Sequence, residues 1–456
     1  MPISEIKRRL RELSRIAAPV MAEQAFVILM GFVSSLLVAS IGEHAVSAVS
    51  MVDSVSNLII TFFAALTTGG TIVIAQYIGR DDTAKAKSTA GQAFLLSVSL
   101  SLIMLVFFAV FGSNVLNLVF SEAEVNVQES ARQFLFIIVF SYPFLAVVQT
   151  SFGIMRGSGN ARTPMFVSII MNIINLALGL ILVRGINLPF VQTPSFGVAG
   201  AAVALLIGRA SGAAMSAYYL CFRAKGIRLN SLKFFRPNFT VQKNIMRFGL
   251  PTSVESSLFQ LGKLITMMFV VGMGTHAIAA NAIGGTLLSI INVVGTGFSM
   301  GVMVLCGQKI GRGEADDVKR TAYFAAVASA ILMAFVSLFL FIFFNPIVGL
   351  YDVEPDTFRY LQQLMFTVFI MQIIFWPGSF VIPAALRAAG DVKYTMLSSI
   401  VSMWVFRIGF GFIYAIVLNF GVLGVWMGMY SDWIVRGILF NKRLLNGKWR
   451  GRGIKD

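Results

Sequence analysis

Long apolar runs separated by short polar segments repeat along the entire chain of 456 residues. Each run has about 20 residues or more, the length that an α-helix needs to cross the hydrocarbon core of a bilayer. The pattern therefore predicts an all-α membrane protein with twelve transmembrane helices. The predicted spans lie near residues 17–41, 45–75, 90–112, 134–155, 162–184, 197–222, 247–273, 277–306, 321–345, 360–386, 394–419 and 421–441.

The composition agrees with this pattern. Hydrophobic residues make up 57% of the chain and charged residues only 12%, whereas soluble domains carry about 25% charged residues. The net charge of +16 would suit a nucleic-acid-binding protein if the basic residues shared one folded face. They lie instead in the short segments between apolar runs. We therefore expect the lipid bilayer as a partner and no nucleic acid.

Basic residues are unevenly divided between the two sets of connections. The N-terminal arm, the connections after even-numbered spans and the C-terminal tail are rich in Lys and Arg. The opposite connections hold few basic residues, beside acids such as Glu124, Asp352 and Glu354. Because cytoplasmic loops carry the excess of Lys and Arg, we predict a multi-pass protein of the plasma (inner) membrane with both termini cytoplasmic. The arm Ile3–Arg15 suits either an amphipathic helix on the inner leaflet or a solvated basic flank.

An internal repeat relates the two halves of the chain. Pro19 and Glu23 recur 232 positions later as Pro251 and Glu255. The same offset relates the segment 76–80 to the segment 308–312. Six spans per repeat give both halves the same orientation, which is typical of transporters whose site lies between the halves. The predicted domains are an N-terminal six-helix lobe over 1–222, a cytoplasmic linker over 223–246 and a C-terminal six-helix lobe with a basic tail over 247–456.

Three pairs of motifs, each present in both halves, identify a family. They are Gln76-Tyr-Ile-Gly-Arg80 with Gln308-Lys-Ile-Gly-Arg312, Arg156-Gly-Ser-Gly-Asn160 with Arg387-Ala-Ala-Gly-Asp391, and Gly197-Val-Ala-Gly200 with Gly421-Val-Leu-Gly424. In this order they resemble the MATE (multidrug and toxic compound extrusion) transporters along essentially the whole chain. The resemblance implies two pseudo-symmetric six-helix bundles in a V shape, in a monomer without cofactors. It also implies export of small organic, often cationic compounds against an inward flow of protons or sodium ions.

The sequence departs from this family at positions that carry acids in many members. Ser34 lies where an Asp is common in span one, and Phe259 lies where others have a Glu, eight residues past Pro251. No acid in span ten matches the Asp of some sodium-coupled members. The coupling residues of the family therefore cannot be transferred directly to this chain.

Three acids inside the spans are candidates for cation coupling, since a charged group in the bilayer is costly and is by default a functional hypothesis. Glu255 is the first choice because it lies one helical turn from Phe259; the alternatives are a helix cap or an ion pair with Lys263. Glu23 is its repeat mate. Asp53 lies near the outer start of span two, where a carboxylate can simply stabilise the helix dipole. Gly285 takes its place in the second half.

Further polar residues inside the spans are candidates for the transport pathway. Residues expected to line a substrate cavity are Gln260, Lys263, Asn172, Asn175 and Ser34. Residues expected at a cytoplasmic gate or in an ion-pair network are Arg156, Arg387, Asp432, Arg436 and Arg407. The spacing of Asp432 and Arg436, four residues apart, is that of an ion pair on one helix face. A purely structural role is the main alternative for the network residues, and helix–helix bonding for the two asparagines.

We expect a secondary active transporter that exports organic, cationic amphipathic compounds by antiport with protons or sodium ions. A flippase for lipid-linked saccharides is the first alternative, although it predicts a cavity rich in Arg. A membrane-embedded enzyme is the second, but the sequence has no paired metal-ligand motif, nucleophile elbow or phosphate loop. No metal or other cofactor is expected. A channel is the third alternative, and no filter-like segment favours it.

Overall fold

The computed structural model describes residues 2–119, 124–188, 191–224 and 226–454. The helices of the first half are α1 (Ile3–Ala39), α2 (Glu43–Gly79), α3 (Thr83–Val119), α4 (Val125–Val139), α5 (Tyr142–Gly157), α6 (Arg162–Arg184) and α7 (Gly197–Tyr218). Those of the second half are α8 (Phe239–Val271), α9 (Thr275–Gly311), α10 (Ala315–Ile342), α11 (Phe344–Gly349), α12 (Pro355–Trp376), α13 (Ile382–Ala388), α14 (Val392–Ser402) and α15 (Gly421–Leu445).

Shorter elements connect or extend these helices. Wide π-helical turns lie at Tyr219–Arg223, Pro377–Val381, Met403–Phe410 and Ile413–Val417, and a 3-10 turn lies at Leu232–Phe235. Strands β1 (Ile186–Leu188) and β2 (Val191–Thr193) pair antiparallel. In the described part of the chain this hairpin is the single exception to a helical fold.

The predicted spans correspond to helices along the whole chain. Ten described helical segments are long and apolar enough to cross a bilayer, and the pair α4 and α5 makes an eleventh. The predicted twelfth span is α15, whose 25 residues extend over about 37 Å. Its middle carries Asp432 and Arg436, and it is not among the helices that are apolar enough to cross a bilayer, so the twelfth span stays a prediction. The prediction of an all-α membrane fold is confirmed.

One predicted span is broken in the structure. The run near 134–155 forms two helices, α4 and α5, whose axes differ by 52°. Pro143 lies in the first turn of α5. A proline in a helix interior removes one backbone hydrogen bond and clashes with the carbonyl four residues earlier, here that of Val139. Apolar residues continue on both sides of the break, so the hydrophobic pattern alone predicts one continuous span here.

The N-terminal arm is part of the first helix. α1 begins at Ile3 and continues through Pro19 to Ala39. Arg9 is buried and bonds to Glu5 (2.9 Å) and to Asp317 of α10 (2.5 Å). The interpretation of the arm as a solvated flank is therefore wrong for Arg9, which joins α1 to α10.

The described residues divide into two compact units. The C-terminal unit comprises the residues up to Met21, Ala75–Asp81 and the chain from Leu250 onward, and the N-terminal unit comprises Ala22–Ile74 and Asp82–Gly249. Helices α1, α2 and α8 contribute residues to both units. The division of the sequence into lobes at 1–222 and 247–456, joined by the linker 223–246, stays a prediction.

Glycines allow α15 to pack closely on the preceding wide turns of the C-terminal unit. A Cβ at Gly428 would lie 2.6 Å from the carbonyl oxygen of Arg407 and from the Cα of Gly411. A Cβ at Gly424 would meet the backbone of Ala415 equally closely. Small residues let helix backbones approach in this way in membranes, where tight packing replaces the hydrophobic drive for association. The contact sets the position of Arg407 relative to α15.

We expect Gly428→Ala to destabilise the protein by about 1–3 kcal/mol, because the added methyl group forces the two backbones apart. The matched control is Gly349→Ala at the end of α11, where an added Cβ has no neighbour within 4 Å among the described residues. Thermal unfolding of the purified protein should show a lower apparent Tm for Gly428→Ala alone. An unchanged Tm would contradict the close approach.

Candidate functional site

Each unit contains a cavity of a size that suits a small organic molecule. The cavity of the N-terminal unit, called the N-cavity, has a volume of 420 Å³, and that of the C-terminal unit, called the C-cavity, has 440 Å³. Small-molecule sites generally occupy about 300–1,000 Å³. α1, α2, α6 and α7 supply most of the N-cavity wall, and α8, α9, α15 and the turns around 377–410 supply the C-cavity wall.

The two cavities occupy equivalent positions in the internal repeat. Seven lining residues of the N-cavity have a counterpart 232 positions later that lines the C-cavity. The pairs are Val27 and Phe259, Gly31 and Lys263, Ser34 and Thr266, Ser35 and Met267, Val38 and Val270, Val49 and Asn281, and Asp53 and Gly285. The sequence repeat therefore extends to the two cavities.

The N-cavity contains an acid and several polar side chains within a mostly apolar wall. Asp53, Ser34, Asn172 and Asn175, all candidates from the sequence, line it together. The side-chain amide of Asn172 donates to the Ser168 carbonyl (2.8 Å), so its own oxygen stays available to the cavity. The structure thus brings together polar residues of the helices α1, α2 and α6.

Asp53 has no ion-pair partner among the described residues. Arg209 attracts it electrostatically, but this guanidinium donates its hydrogen bond to Ser141 Oγ (2.6 Å). The proposed dipole role for Asp53 does not hold, because α2 begins ten residues earlier at Glu43 and the dipole effect fades within the first turn. Its carboxylate therefore faces the cavity with capacity to bind a cation.

The C-cavity is aromatic and basic. Lys263 and Arg407 line it, together with the rings of Trp376, Phe380, Trp426 and Trp433. Trp426 donates its indole N–H to Asn281 Oδ1 (2.9 Å), which fixes one wall. The sequence candidates are thus split: Lys263 belongs to this cavity, whereas Gln260 lines neither.

Phe259 lies at the centre of a cluster of cations. The Lys263 ammonium is 5.3 Å from its ring centroid, and the guanidinium carbons of Arg407 and Arg436 are 5.4 Å and 5.5 Å from it. The face of an aromatic ring attracts cations. The cluster thus has an aromatic ring at its centre, which stabilises positive charge more weakly than a carboxylate would.

The acids of the repeat are paired with the arginines of the repeat. In the N-terminal unit, Arg156 Nη2 donates to both carboxylate oxygens of the buried Glu23 at 2.6 Å. Their counterparts in the C-terminal unit are Glu255 and Arg387, whose charged atoms are 3.9 Å apart. These arginines are therefore partners of buried acids as well as the ends of their helices.

Glu255 is held less tightly than Glu23. It lies between Arg387 (3.9 Å) and Arg436 (4.0 Å), and its Oε2 accepts no hydrogen bond from the described residues. Arg436 in turn pairs with Asp432 at 3.6 Å, as their spacing in the sequence predicts. Neither a helix cap nor an ion pair with Lys263 accounts for Glu255, since its partners are the two arginines.

Sequence reasoning missed most of the C-cavity wall. The three tryptophans look like ordinary core residues in an apolar run. Asn281 and Asn292 are polar residues inside the long helix α9, and that signal could have indicated a polar face. Asn292 accepts from Gln372 (2.8 Å), and both α9 asparagines line the cavity.

The motif that ends at Asp391 anchors the C-terminal tail. Asp391 is buried and accepts bonds from Arg443 and Arg452, both at 2.7 Å. Gly390 before it has φ +91°, a conformation that side chains rarely adopt, and it lies directly against the Arg452 carbonyl. This part of the basic tail is packed against the C-terminal unit.

Comparisons with known proteins agree with these observations. A family model described as MatE matches residues 19–181 and again residues 251–413, which differ by the same 232 positions as the repeat. The probable multidrug resistance protein NorM of Thermotoga maritima is 26% identical over 454 residues, covering 100% of this chain and 96% of that protein. The uncharacterized transporter YisQ of Bacillus subtilis is 27% identical over 444 residues, covering 96% and 94%.

A solved structure has the same fold. It is described as the outward-facing conformation of a multidrug resistance MATE family transporter of the MOP superfamily. The TM-score is 0.87 at 20% sequence identity, and the alignment covers 96% of each chain.

We expect Glu23→Gln to destabilise the protein by about 3–5 kcal/mol, because it leaves the Arg156 charge buried without its partner. Glu255→Gln should cost less, since the ion pairs of Glu255 are longer and Arg436 keeps Asp432. Thermal unfolding of the purified variants measures the difference. The double variant Glu23→Gln, Arg156→Gln should regain part of the stability that Glu23→Gln loses. Equal destabilisation by Glu23→Gln and Glu255→Gln would contradict the difference in pairing.

Proposed function

The chain belongs to the MatE family and is a multi-pass membrane transporter, and on this premise we propose that it is a multidrug exporter that exchanges organic cations for protons or sodium ions. Asp53 carries this proposal. It is an acid inside a membrane helix, it lines a cavity of 420 Å³, and it has no ion-pair partner among the described residues. Such a carboxylate is costly in a membrane unless a cation binds to it.

The rest of the N-cavity supports an amphipathic organic cation as the ligand. Ser34, Asn172 and Asn175 offer oxygens and amides to a ligand. Val27, Val38 and Leu176 offer apolar contact in the same cavity wall. A molecule with one positive charge and an apolar body matches both, because buried polar groups require partners and the apolar surface gains from leaving water.

A single carboxylate is sufficient for exchange. Asp53 binds a proton or a sodium ion in one step and the organic cation in another, and its charge favours one of them at a time. Entry of the ion on one side of the membrane therefore releases the organic cation, which is the requirement for antiport. We propose that the ion enters from outside and that both termini are cytoplasmic in the plasma membrane, as the distribution of basic residues predicts.

Glu255 is the second candidate for cation coupling. Its loose contacts with Arg387 and Arg436 leave one carboxylate oxygen without a hydrogen bond. Glu23 ranks below it, because both of its oxygens are engaged by Arg156. The geometry thus favours Asp53 over Glu255, and Glu255 over Glu23.

Efflux of a fluorescent organic cation from proteoliposomes, under a proton gradient alone or a sodium gradient alone, tests this order. We expect Asp53→Asn to slow gradient-driven efflux at least about tenfold, since one charged contact is lost. Asp53→Glu, which keeps the charge, should retain part of the activity. The gradient that drives wild-type efflux identifies the coupling ion.

Glu255→Gln provides the decisive comparison for the assignment to Asp53. Full efflux by Asp53→Asn together with loss in Glu255→Gln would move coupling to the C-terminal unit and overturn the assignment. No efflux of any organic cation by the wild type, under either gradient, would overturn the proposed function itself. Gel filtration of each purified variant separates loss of coupling from loss of folding.

A further inference from the structure

We propose that the C-cavity binds amphipathic organic anions, so that the two repeat-related cavities of this protein bind ligands of opposite charge. The ligand has an anionic head, such as a sulfonate, carboxylate or phosphate, on an aromatic or other flat apolar body. Binding at this cavity is independent of the proposed cation exchange, and the two are tested separately.

The charge of the C-cavity is positive. Lys263 and Arg407 line it, and neither forms an ion pair with another described residue. Asp432 attracts Arg407 electrostatically, but it pairs with Arg436 at 3.6 Å. Glu255 is likewise shared between Arg387 and Arg436. This group therefore has four cations and two acids. Both acids pair with Arg387 or Arg436. The two cations that line the cavity, Lys263 and Arg407, have no ion-pair partner among the described residues.

Comparison of repeat-equivalent positions shows that the positive charge of the C-cavity is absent from the lining of the N-cavity. The counterpart of Lys263 in the N-cavity is Gly31, and the counterpart of Asp53 in the C-cavity is Gly285. The N-cavity therefore has an acid at a position where the C-cavity has a glycine. The C-cavity has a base at a position where the N-cavity has a glycine. Two cavities of common origin and similar volume have diverged to opposite polarity.

Two unpartnered cations inside membrane helices require compensation. Phe259 compensates them in part through its ring face, but it also attracts Arg436. An anionic group between Lys263 and Arg407 would form charge-assisted hydrogen bonds with both side chains, which are stronger than contacts with a ring. The cavity thus has the electrostatic properties of an anion site.

The aromatic walls of the C-cavity indicate which kind of apolar body the ligand has. Trp376 and Phe380 stack with their ring centroids 4.6 Å apart and planes 19° from parallel. Trp426 and Trp433 add two more indoles, one fixed by its bond to Asn281. Flat aromatic surfaces of this kind favour a flat apolar ligand. With a volume of 440 Å³, the cavity has room for a fused aromatic ring and its head group.

A pair of probes of equal shape and opposite charge tests the inference. 1-Naphthalenesulfonate and 1-naphthyltrimethylammonium are dialysed to equilibrium against the purified protein in nanodiscs of neutral lipid. Quenching of tryptophan fluorescence reports binding, since three of the five tryptophans line the C-cavity, and loss of quenching in the cavity variants assigns the binding to this location. We expect Lys263→Gln and Arg407→Gln each to weaken sulfonate binding about tenfold, the effect of one charged contact.

The matched control is Lys393→Gln, the same change at an exposed position of α14 that does not line the cavity. It should leave sulfonate binding unchanged. Lys263→Arg keeps the charge and should retain binding, which separates a charge effect from a folding defect. Equal sulfonate affinity in the wild type and in Lys263→Gln would overturn the inference.

A second pair of variants tests whether an acid in the C-cavity reverses its preference for charge. Gly285→Asp places an acid at the position equivalent to Asp53, and an added Cβ there has no described neighbour within 4 Å. It should weaken sulfonate binding and strengthen binding of the ammonium probe at the tryptophans. Gly285→Ala, which adds bulk without charge, should do neither. Identical effects of Gly285→Asp and Gly285→Ala would contradict a site selected by charge.

A third arm distinguishes the two sources of such an anion. Repeating the sulfonate titration in nanodiscs that contain an anionic phospholipid shows whether lipid competes. Competition identifies a lipid headgroup as the natural occupant, and unchanged affinity identifies a free organic anion; both support an anion site. Failure of Asp53→Asn to affect cation efflux bears on the proposed function alone, because Asp53 does not line the C-cavity.

Discussion

The cost of placing charge inside a membrane organises the functional parts of this protein. Each ionisable side chain within a span needs a partner, a cavity or a ligand. Glu23 and Arg156 solve the problem by direct pairing, with both carboxylate oxygens engaged at 2.6 Å. Glu255 solves it by lying between two arginines. Asp53 and Lys263 remain without an ion pair in the described part of the chain, and both face a cavity. The residues that pairing leaves uncompensated are those for which we propose ligands.

The internal repeat is a scaffold on which charge has diverged. The acid–arginine pairs recur in both halves, and seven positions of one cavity recur in the other. What differs is the polarity at a few positions, chiefly Asp53 against Gly285 and Lys263 against Gly31. Phe259 belongs to the same divergence, because a ring now stabilises the cations that surround it. The repeated fold thus offers two equivalent cavities of different charge, for which we propose different ligands.

Close packing fixes the positions of side chains in the C-terminal unit. Gly428 lets α15 lie against the backbone of Arg407, which brings this side chain to the wall that Trp426 and Trp433 also form. Asp391, buried beneath Arg443 and Arg452, ties the tail to the end of α13. Both features use small or charged residues at positions where an ordinary apolar side chain would not fit. Asp391 belongs to a motif that first indicated the family, and Gly428 follows the motif Gly421-Val-Leu-Gly424 by one helical turn.

By itself, the sequence determined the helical membrane fold, the repeat and several of the charges inside the helices. These follow from local properties: the length of apolar runs, the spacing of like residues and the rarity of charge in a span. Four lining residues of the N-cavity, Asp53, Ser34, Asn172 and Asn175, were candidates from the sequence, since polar groups in apolar runs are visible without a structure. Only the tertiary structure decided how the charges are matched. Arg156 lies 133 residues from Glu23, and no periodicity links them. The separation of Lys263 from Asn172 into different cavities and the tryptophan wall also depend on which helix faces pack together, which is a property of the whole chain rather than of any segment.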